Sequence, residues 1–283
     1  MSNPTDSPVW FITGAASGIG RRLAEQALAS GARVVAAVRS PKSLEDLACR
    51  AVDSLQVVSV DMAEPASIRR AVEEAQRCWG RLDVVVNNAG YGLVGALEEC
   101  GDDQIARNLA TNLVGPLQLI RAVLPFLRAQ RSGHLITLGA AAAIGNYPGF
   151  SVYGGAKAAL EAVSESLRLE LAPFGIRVTV VVPGPFRTDF IQRSLDRAAH
   201  RMPEYEPTAG KFLGFLERMN GRQPGDPERA AAAIVRMVSE GKAPMRLVLG
   251  KYAVDKTRKT LAARAVELAA WEAVGLGTDF PPT

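Results

Sequence analysis

Short apolar runs recur along the chain, and most are apolar at every position instead of at alternate positions. The run from Val34 to Val38 shows this continuous pattern, which is typical of strands buried on both faces of a parallel sheet. Such runs predict seven strands, at residues 9–13, 33–38, 56–60, 82–86, 134–138, 177–182 and 246–249.

Stretches with a helical spacing of apolar residues lie between these runs. They predict helices at residues 20–30, 65–79, 115–128, 153–172 and 226–240. Strands that alternate with helices indicate βαβ units. The predicted fold class is therefore α/β: a single-domain, Rossmann-type, doubly wound fold with a seven-stranded parallel sheet and helices on both faces.

No repeat and no Pro/Gly-rich linker divides the chain, so one domain is predicted over residues 9–283. Residues 1–8 are polar and lack the apolar segment of a signal peptide, and we expect a disordered N-terminus there. Residues 190–225 interrupt the alternation, which predicts a substrate lid insertion or, alternatively, a surface loop and helix without a role. Residues 251–283 are expected to form a C-terminal helix and tail.

Composition narrows the possible classes of protein. The chain has 283 residues, 48% of them hydrophobic, and no apolar run approaches ~18 residues, so we expect no membrane-spanning helix. Its three cysteines, Cys49, Cys78 and Cys100, form no CxxC pair, which argues against disulfides and zinc and favours the cytoplasm. The formal net charge is +4, but the basic residues are scattered, which disfavours nucleic acid as a partner. Neither His134 nor His200 has a partner at metal-ligand spacing, so no metal is expected.

The first candidate for chemistry is a glycine-rich turn between the first strand and the first helix, Thr13-Gly14-Ala15-Ala16-Ser17-Gly18-Ile19-Gly20. Glycines permit a tight turn and close approach of a ligand, while the helix N-terminus offers free N–H groups to a pyrophosphate. The context predicts a dinucleotide-binding turn. A tight strand-to-helix turn without a ligand is the alternative.

Cofactor choice depends on the end of the second strand, where Val38 is followed by Arg39, about twenty residues past the last glycine. An acidic residue there would accept the ribose hydroxyls of NAD and repel a 2′-phosphate, whereas a guanidinium can pair with that phosphate. Arg39 therefore favours NADP(H), the alternative being a solvated charge at a strand end.

Tyr153 and Lys157 are four residues apart on a predicted helix and therefore share one face. A nearby ammonium favours the phenolate and lowers the pKa of a tyrosine from its ordinary value of about 10. Tyr153 is thus a candidate general acid or base for a carbonyl and alcohol pair.

Together these motifs resemble the short-chain dehydrogenase/reductase family over residues 9–250. The resemblance rests on the order along the chain of TGxxxGxG, Asp61, Asn87-Asn88-Ala89-Gly90, Asn112, Tyr153 with Lys157, and Pro183-Gly184-Pro185-Phe186-Arg187-Thr188. The tail, with residues 247–250 and 269–272, resembles the branch of the 17β-hydroxysteroid dehydrogenases.

The resemblance implies a role for each matching position. Tyr153 would be the proton donor in reduction, Lys157 its electrostatic partner and a ligand of the nicotinamide ribose, and Asn112 the anchor of a proton-relay water. Asp61 would lie by the adenine, and Thr188 would hold the nicotinamide carboxamide. The other implied cofactor-binding residues are Gly14, Ser17, Gly18, Ile19, Gly20, Asn88, Ala89, Gly90, Pro183 and Gly184. Homodimers or homotetramers through the helices at 115–128 and 153–172 are also implied.

One position departs from the family pattern. The family's catalytic serine lies thirteen residues before the tyrosine, and the chain has Ala140 there. A serine would donate a hydrogen bond to the substrate oxygen, and loss of one such donor costs ~10²–10³ in rate. Neither Thr137 nor Ser151 is an obvious replacement. Three explanations stay open: an engineered substitution made to trap a substrate complex, a natural variant with weak or altered chemistry, and a protein that binds cofactor without turnover.

The expected function is an NADP-dependent oxidoreductase, a ketoreductase or alcohol dehydrogenase, which transfers hydride between nicotinamide and a carbonyl or secondary alcohol. A group of late apolar residues indicates a hydrophobic substrate, polyketide-like or steroid-like: Phe186, Phe190, Phe212, Leu213 and Phe215. The alternative function is a catalytically silent NADP-binding protein with a regulatory or partner-binding role.

Overall fold

A computed structural model describes residues 7–280 of the chain and places parallel β-strands at its centre. The strands are β1 (Val9–Thr13), β2 (Arg33–Val38), β3 (Leu55–Ser59), β4 (Val84–Asn87), β5 (Gly92–Val94), β6 (Gly133–Leu138), β7 (Ile176–Pro183), β8 (Leu195–Arg197) and β9 (Arg246–Leu249). Seven of them pair in the order β3-β2-β1-β4-β6-β7-β9, and each of these pairings is parallel. The predicted seven-stranded parallel sheet is confirmed. The predicted disordered N-terminus falls mostly on residues 1–6, which lie outside the described residues.

Helices cover both faces of this sheet, as predicted. They are α1 (Gly18–Ala29), α2 (Glu45–Ala48), α3 (Pro65–Trp79), α4 (Asp102–Leu109), α5 (Gly115–Gln130), α6 (Ala141–Ile144), α7 (Ser151–Leu171), α8 (Phe190–Arg193), α9 (Lys211–Met219), α10 (Pro227–Ser239) and α11 (Lys251–Leu276). Phe11 of β1 packs with residues of α3, α5 and α7, whereas Trp10 and Ile12 pack with α1 and α10. Both faces of the strand are therefore buried, which explains its continuous apolar run.

One strand begins later in the structure than the sequence predicts. The apolar pattern predicts a strand from Leu82, but β4 begins at Val84. The main-chain N–H of Leu82 donates to Gln130 Oε1 at 3.0 Å, and the carbonyl of Leu82 accepts from Gln130 Nε2 at 2.8 Å. A side chain from α5 thus replaces the strand partner of Leu82, which a local pattern does not encode.

The apolar pattern does not predict α4, α9 or the small pair formed by β5 and β8. α4 continues through a π-helical turn, Ala110–Val114, into α5. By length and mean hydropathy alone, the combined helix Asp102–Gln130 could cross a membrane, which corrects the expectation that no segment is long and apolar enough. Leu119 and Val123 of this helix are fully buried in the core beside α3. Packing within the fold therefore explains its apolar face.

The insertion at 190–225 is attached to the body of the protein at several points. β8 pairs with β5, with Leu195 opposite Gly92. The buried carboxylate of Glu99 accepts from the main-chain N–H of Met202 at 2.8 Å. Gln104 Nε2 donates to the carbonyl oxygen of Arg197 at 2.7 Å. These contacts hold the insertion in one position beside the carboxyl ends of the strands.

Candidate active site

A cleft of about 1000 Å³ lies along the carboxyl ends of the strands. From β1 the chain builds the sheet in one direction through β2 and β3, and then returns to place β4 on the other side of β1. The strand order therefore reverses between β1 and β4. Ligands of open α/β sheets bind at such a reversal. The predicted site residues that line the cleft are Gly14, Ser17, Gly18, Ile19, Arg39, Asp61, Asn88, Ala89, Gly90, Ala140, Tyr153, Lys157, Pro183, Gly184 and Thr188.

The glycine-rich turn requires glycine at several of its positions. Gly14 and Gly18 have φ values of +66° and +57°, a backbone conformation that favours glycine. A Cβ on Gly14 would lie 2.9 Å from Ala89 Cα, and a Cβ on Gly20, which is buried beneath the turn, would lie 2.2 Å from Asn88 Nδ2. α1 begins at Gly18, and the first N–H groups of a helix have no helical acceptor. The turn therefore fits a pyrophosphate.

Thr13 binds this turn to the end of β4, a role that the sequence analysis missed. Its hydroxyl donates to the carbonyl oxygen of Val86 at 3.1 Å and accepts from the N–H groups of Asn88 and Ala89, both at 3.0 Å. Asn88 Nδ2 donates in turn to the carbonyl oxygens of Thr13 and Gly14. Two loops thus form one wall of the cleft. The sequence signal that could have predicted this role is the threonine at the start of the TGxxxGxG pattern.

Arg39 and Asp61 lie at the rim of the cleft, just after β2 and β3. Arg39 is exposed, and within residues 7–280 its guanidinium has no hydrogen-bond or ion-pair partner. Ser40 and Ser43 line the same part of the cleft. Asp61 Oδ1 accepts from the N–H of Ala63 at 2.9 Å, which orients the carboxylate. Ser43 Oγ donates to the carbonyl oxygen of Ser40 at 2.6 Å, so the groups that fit a phosphate monoester are the free guanidinium and the hydroxyl of Ser40.

α7 brings Tyr153 and Lys157 together on one buried face, as the spacing predicts. Lys157 Nζ donates to the carbonyl oxygen of Leu138 at 2.9 Å, and burial lowers the pKa of Lys157 to about 8. The prediction that the ammonium lowers the pKa of Tyr153 is wrong, because burial raises the pKa of this phenol above its ordinary value. Tyr153 is therefore a neutral phenol near pH 7, which is the form that can donate a proton.

Asn112 lies behind the surface of the cleft, in the π-helical turn between α4 and α5. Its Nδ2 donates to the carbonyl oxygens of Tyr91 and Asn108, at 2.8 and 3.1 Å. Its Oδ1 is the near neighbour of Gly90: a Cβ on Gly90 would lie 2.6 Å from this oxygen and 3.4 Å from Lys157 Nζ. Asn112 Oδ1 and Lys157 Nζ therefore both border the space that a side chain at Gly90 would fill. π-helical turns often occur at functional sites.

Ala140 lines the cleft at the position of the family's serine. It has an extended backbone just before α6 and packs in a small apolar cluster with Phe150 and Tyr153. Neither Thr137 nor Ser151 lines the cleft. Their hydroxyls therefore do not replace the absent serine.

Aromatic rings form the wall of the cleft around Tyr153. The ring of Phe150 packs edge-on against Tyr153 with centroids 5.1 Å apart, and the Phe190 centroid lies 5.9 Å from Tyr153. The predicted apolar residues that line the cleft are Phe186, Phe190, Phe212 and Phe215. The prediction for Leu213 is wrong, because the helical period of α9 turns its side chain away from the cleft and into the apolar cluster beneath.

Two tyrosines that the sequence analysis missed also line the cleft, Tyr147 and Tyr252. Their hydroxyl oxygens share a hydrogen bond of 2.8 Å. The Tyr147 ring stacks on Phe212 with centroids 5.0 Å apart, and Lys256 Nζ lies 3.8 Å from the centre of the Tyr147 ring. Tyr252 belongs to α11, so no local pattern could have brought it to the cleft.

The segment after β7 closes the cleft beside the glycine-rich turn. A Cβ on Gly18 would lie 3.4 Å from the side chain of Thr188, so the two loops nearly touch. Gln223 also lines the cleft, and its buried Oε1 has no hydrogen-bond partner among the residues that the structure describes. A buried acceptor without a partner costs about 1–3 kcal/mol. This oxygen has almost no accessible surface, so it faces the packed interior and not the cleft.

These features define a class of protein, an oxidoreductase in which a dinucleotide site and a buried proton donor share one cleft. The family model described as short chain dehydrogenase matches residues 8–198. The chain therefore belongs to the short-chain dehydrogenase family, and the predicted family is confirmed. The finer resemblance of the tail to 17β-hydroxysteroid dehydrogenases stays a prediction.

Relatives extend the match over nearly the whole chain. Oxidoreductase BOA17 of Botryotinia fuckeliana is 33% identical over 271 residues, which cover 95% of this chain and 98% of the relative. A 3-ketodihydrosphingosine reductase of Bacteroides thetaiotaomicron is 32% identical over 241 residues, or 85% of this chain and 87% of the relative. The crystal structure of a short-chain dehydrogenase from Streptomyces avermitilis superposes with a TM-score of 0.92 at 38% identity, covering 97% of this chain and 100% of that one.

Proposed function

We propose that this protein is an NADP(H)-dependent reductase of a carbonyl group in a hydrophobic substrate, and that it also oxidises the corresponding secondary alcohol. One observation carries the proposal. A single cleft holds the free guanidinium of Arg39 after β2 and the neutral phenol of Tyr153 near the end of β6. Three strand spacings, about 14 Å, separate β2 from β6 in the sheet. An extended dinucleotide would bridge this span.

Arg39 supports NADP(H) as the cofactor in preference to NAD(H). A guanidinium binds a phosphate through two parallel hydrogen bonds, and the residues on either side of Arg39, Val38 and Ser40, carry no carboxylate that would repel it. The hydroxyl of Ser40 adds a hydrogen-bond donor in the same part of the cleft. The turn at Gly14 and Gly18 would hold the pyrophosphate.

The buried pair on α7 supports reduction as the main direction. When bound, NADPH would supply a hydride to the carbonyl carbon of the substrate. Tyr153 donates the proton from its hydroxyl to the carbonyl oxygen, since burial keeps the phenol neutral near pH 7. Lys157, with a pKa of about 8, is mostly an ammonium at that pH and stabilises the tyrosinate that remains. The Lys157 ammonium would then return a proton to Tyr153 and take one up from water that enters the cleft. Asn112 Oδ1, which also borders the space beside Gly90, would accept a hydrogen bond from a relay water.

The lining of the cleft supports a hydrophobic ketone as the substrate. Aromatic side chains surround Tyr153, and Ala140 puts a methyl group where the family has a hydroxyl. A polyketide-like or steroid-like ketone would bury its apolar surface against these rings. The name of one relative, 3-ketodihydrosphingosine reductase, denotes the reduction of a keto compound and supports the same reaction class.

Ala140 favours a second candidate function. A protein that keeps the dinucleotide site but lacks one of the two hydrogen-bond donors to the substrate oxygen could bind NADP(H) without turnover. Such a protein would act as a regulatory or partner-binding module. The two candidates differ in one property, which is whether bound NADPH is consumed.

A panel of ketones distinguishes the two candidates. Oxidation of NADPH and of NADH is followed with ketones of increasing apolar size, from acetone to decalones and steroid ketones. The reductase proposal predicts consumption of NADPH, faster with the larger ketones and slower with NADH. Tight binding of NADPH without consumption by any ketone would support the silent protein and contradict the reductase.

We also propose a cytoplasmic location and a homo-oligomer formed through α5 and α7. The free thiols of Cys49 and Cys78, both exposed, support a reducing compartment. Leu169 on α7, with 78% of its surface exposed, supports a contact on that helix.

A further inference from the structure

The second half of α11 is an exposed apolar helix. We call residues 261–276 the C-terminal arm; every one of them is exposed. Its large apolar side chains keep 57–71% of their surface in contact with solvent: Leu261, Val266, Leu268, Trp271, Val274 and Leu276. At 1.5 Å per residue the C-terminal arm extends about 24 Å. By contrast, the first half of α11 is anchored, with Ala253 buried and Thr260 packed against Gly145.

The C-terminal arm has few contacts with the body of its own chain: Arg264 Nη2 donates to the carbonyl oxygen of Ile144 at 3.0 Å, while the large apolar side chains stay exposed. Apolar residues occur on all sides of the helix, interrupted by Arg264, Glu267 and Glu272. Helices of this kind are covered in the folded assembly, because most helical stability in water comes from packing of apolar side chains. A contiguous exposed apolar surface of this length marks an interaction site.

The charges along α11 indicate which partner covers the C-terminal arm. Arg264 lies near the start of the C-terminal arm and Glu272 near its end, and both are exposed. Two copies of this helix placed side by side in the same direction would bring like charges together. Placed in opposite directions and centred on Leu268, they would bring Arg264 of each copy beside Glu272 of the other. The helix is therefore complementary to itself in the antiparallel arrangement, which is the arrangement that a two-fold axis produces.

We propose that the C-terminal arm packs antiparallel against the same arm of a second copy of this chain and forms a homodimer interface. This interface is separate from α5 and α7, and the proposal does not rest on the proposed function. A lipid bilayer is the less suitable partner, since Glu267 and Glu272 would carry charge into it from two sides of the helix. Small side chains such as Ala262, Ala269 and Ala273 let two helix axes approach closely.

Charge reversal in two separate variants tests the proposal with the full chain. The first variant is Glu272→Lys, and the second is Arg264→Glu. Sedimentation velocity measures the mass of each variant, of the wild type and of an equimolar mixture of the two variants. Glu73→Lys, which is exposed and outside α11, is the matched control. Far-UV circular dichroism checks that every variant is folded.

The proposal predicts that each arm variant alone has half the mass of the wild type, with at least tenfold weaker association, while the control keeps the wild-type mass. The mixture should recover the wild-type mass, because both contacts of the mixed dimer pair opposite charges. Failure of the mixture to recover, or variants that keep the wild-type mass, would overturn the antiparallel pairing. A wild type that sediments as a monomer and floats with phosphatidylcholine vesicles would show a membrane-binding arm and would overturn it as well.

Discussion

Lys157 donates a hydrogen bond from its ammonium nitrogen to the main-chain oxygen of Leu138, at a distance of 2.9 Å. The contact joins the first half of α7 to the end of β6, two residues before Ala140. Because α7 also carries Tyr153, this hydrogen bond fixes the proton donor relative to the strand end where the substrate oxygen would lie. Burial of the same ammonium lowers the pKa of Lys157 to about 8, so its charge changes within an accessible pH range.

The first prediction concerns the alkaline side of the pH profile. The ammonium form of Lys157 is lost above a pKa of about 8, while Tyr153, whose pKa is raised, keeps its proton there. We expect kcat/KM for ketone reduction to fall about tenfold per pH unit above pH ~8. In Lys157→Arg the guanidinium keeps its charge, so the remaining activity should lose this decline. A decline that is the same in both enzymes would assign it to another group.

The second prediction concerns the choice of cofactor. Arg39→Ala should weaken NADPH binding about ten- to hundredfold, the scale of a charge-assisted hydrogen bond, and leave NADH binding nearly unchanged. Fluorescence titration with both cofactors measures the two affinities. Lys42→Ala, which removes a neighbouring cation that does not line the cleft, is the control and should change neither. Equal losses for NADPH and NADH in Arg39→Ala would show that Arg39 does not discriminate.

The third prediction concerns the missing serine. Ala140→Ser should raise kcat for ketone reduction by ~10²–10³ if the absent donor is the only defect of the site, while NADPH affinity stays nearly constant. In a Tyr153→Phe background the same change should add little, because residues that act as a unit are not additive. Ala143→Ser, in α6 but outside the cleft, is the matched control. An unchanged rate in Ala140→Ser with every accepted ketone would rule out a simple loss of the donor.

The fourth prediction arises from a histidine in the core. Thr179 Oγ1 donates to the carbonyl oxygen of Pro244 at 2.8 Å, so His134 Nε2, 2.9 Å from Thr179 Oγ1, is the donor in their contact. His134 is thus neutral with its proton on Nε2, and its Nδ1 has no partner in the described part of the chain. Burial lowers the pKa of His134 from 6.5 to about 3.

Acid should therefore destabilise the fold through His134. The unfolded chain takes up a proton below pH 6.5 and the folded chain does not, so the stability is complete above that pH and is lost as the pH falls toward 3. Between pH 7 and pH 5, wild type should lose about 2 kcal/mol more unfolding free energy than His134→Gln. Urea unfolding at both pH values measures the difference, with the exposed His200→Gln as control. Equal losses in wild type and His134→Gln would contradict the assignment.

Local patterns predicted most of the sheet because its inner strands are buried on both faces. The five-residue stretch from Val34 to Val38 and the turn from Thr13 to Gly20 carry their structural signal in consecutive residues. β4 was misplaced at its start because Gln130, far away in the chain, takes the hydrogen bonds of Leu82. The pairing of β5 with β8 depends in the same way on residues about a hundred positions apart.

The sequence predicted those residues of the candidate site that belong to local motifs, but not those that only the fold brings to the cleft. Tyr153 and Lys157 share a face because of helical spacing alone, but the direction of the pKa shift of Tyr153 depends on burial, which spacing does not reveal. Tyr147 and Tyr252 meet only because α11 returns to the cleft. Leu213 faces away from the cleft because of the rotation of α9, whose bounds the apolar pattern did not predict.

The most direct test of the central claim is the rate of NADPH oxidation with a hydrophobic ketone in wild type and in Tyr153→Phe, measured beside the affinity of each for NADPH. Phenylalanine keeps the buried ring and removes the hydroxyl that donates the proton. The account predicts a rate at least a hundredfold lower in Tyr153→Phe, with NADPH affinity within about twofold of wild type. A rate that survives the substitution would contradict the role of Tyr153 and, with it, the proposed mechanism.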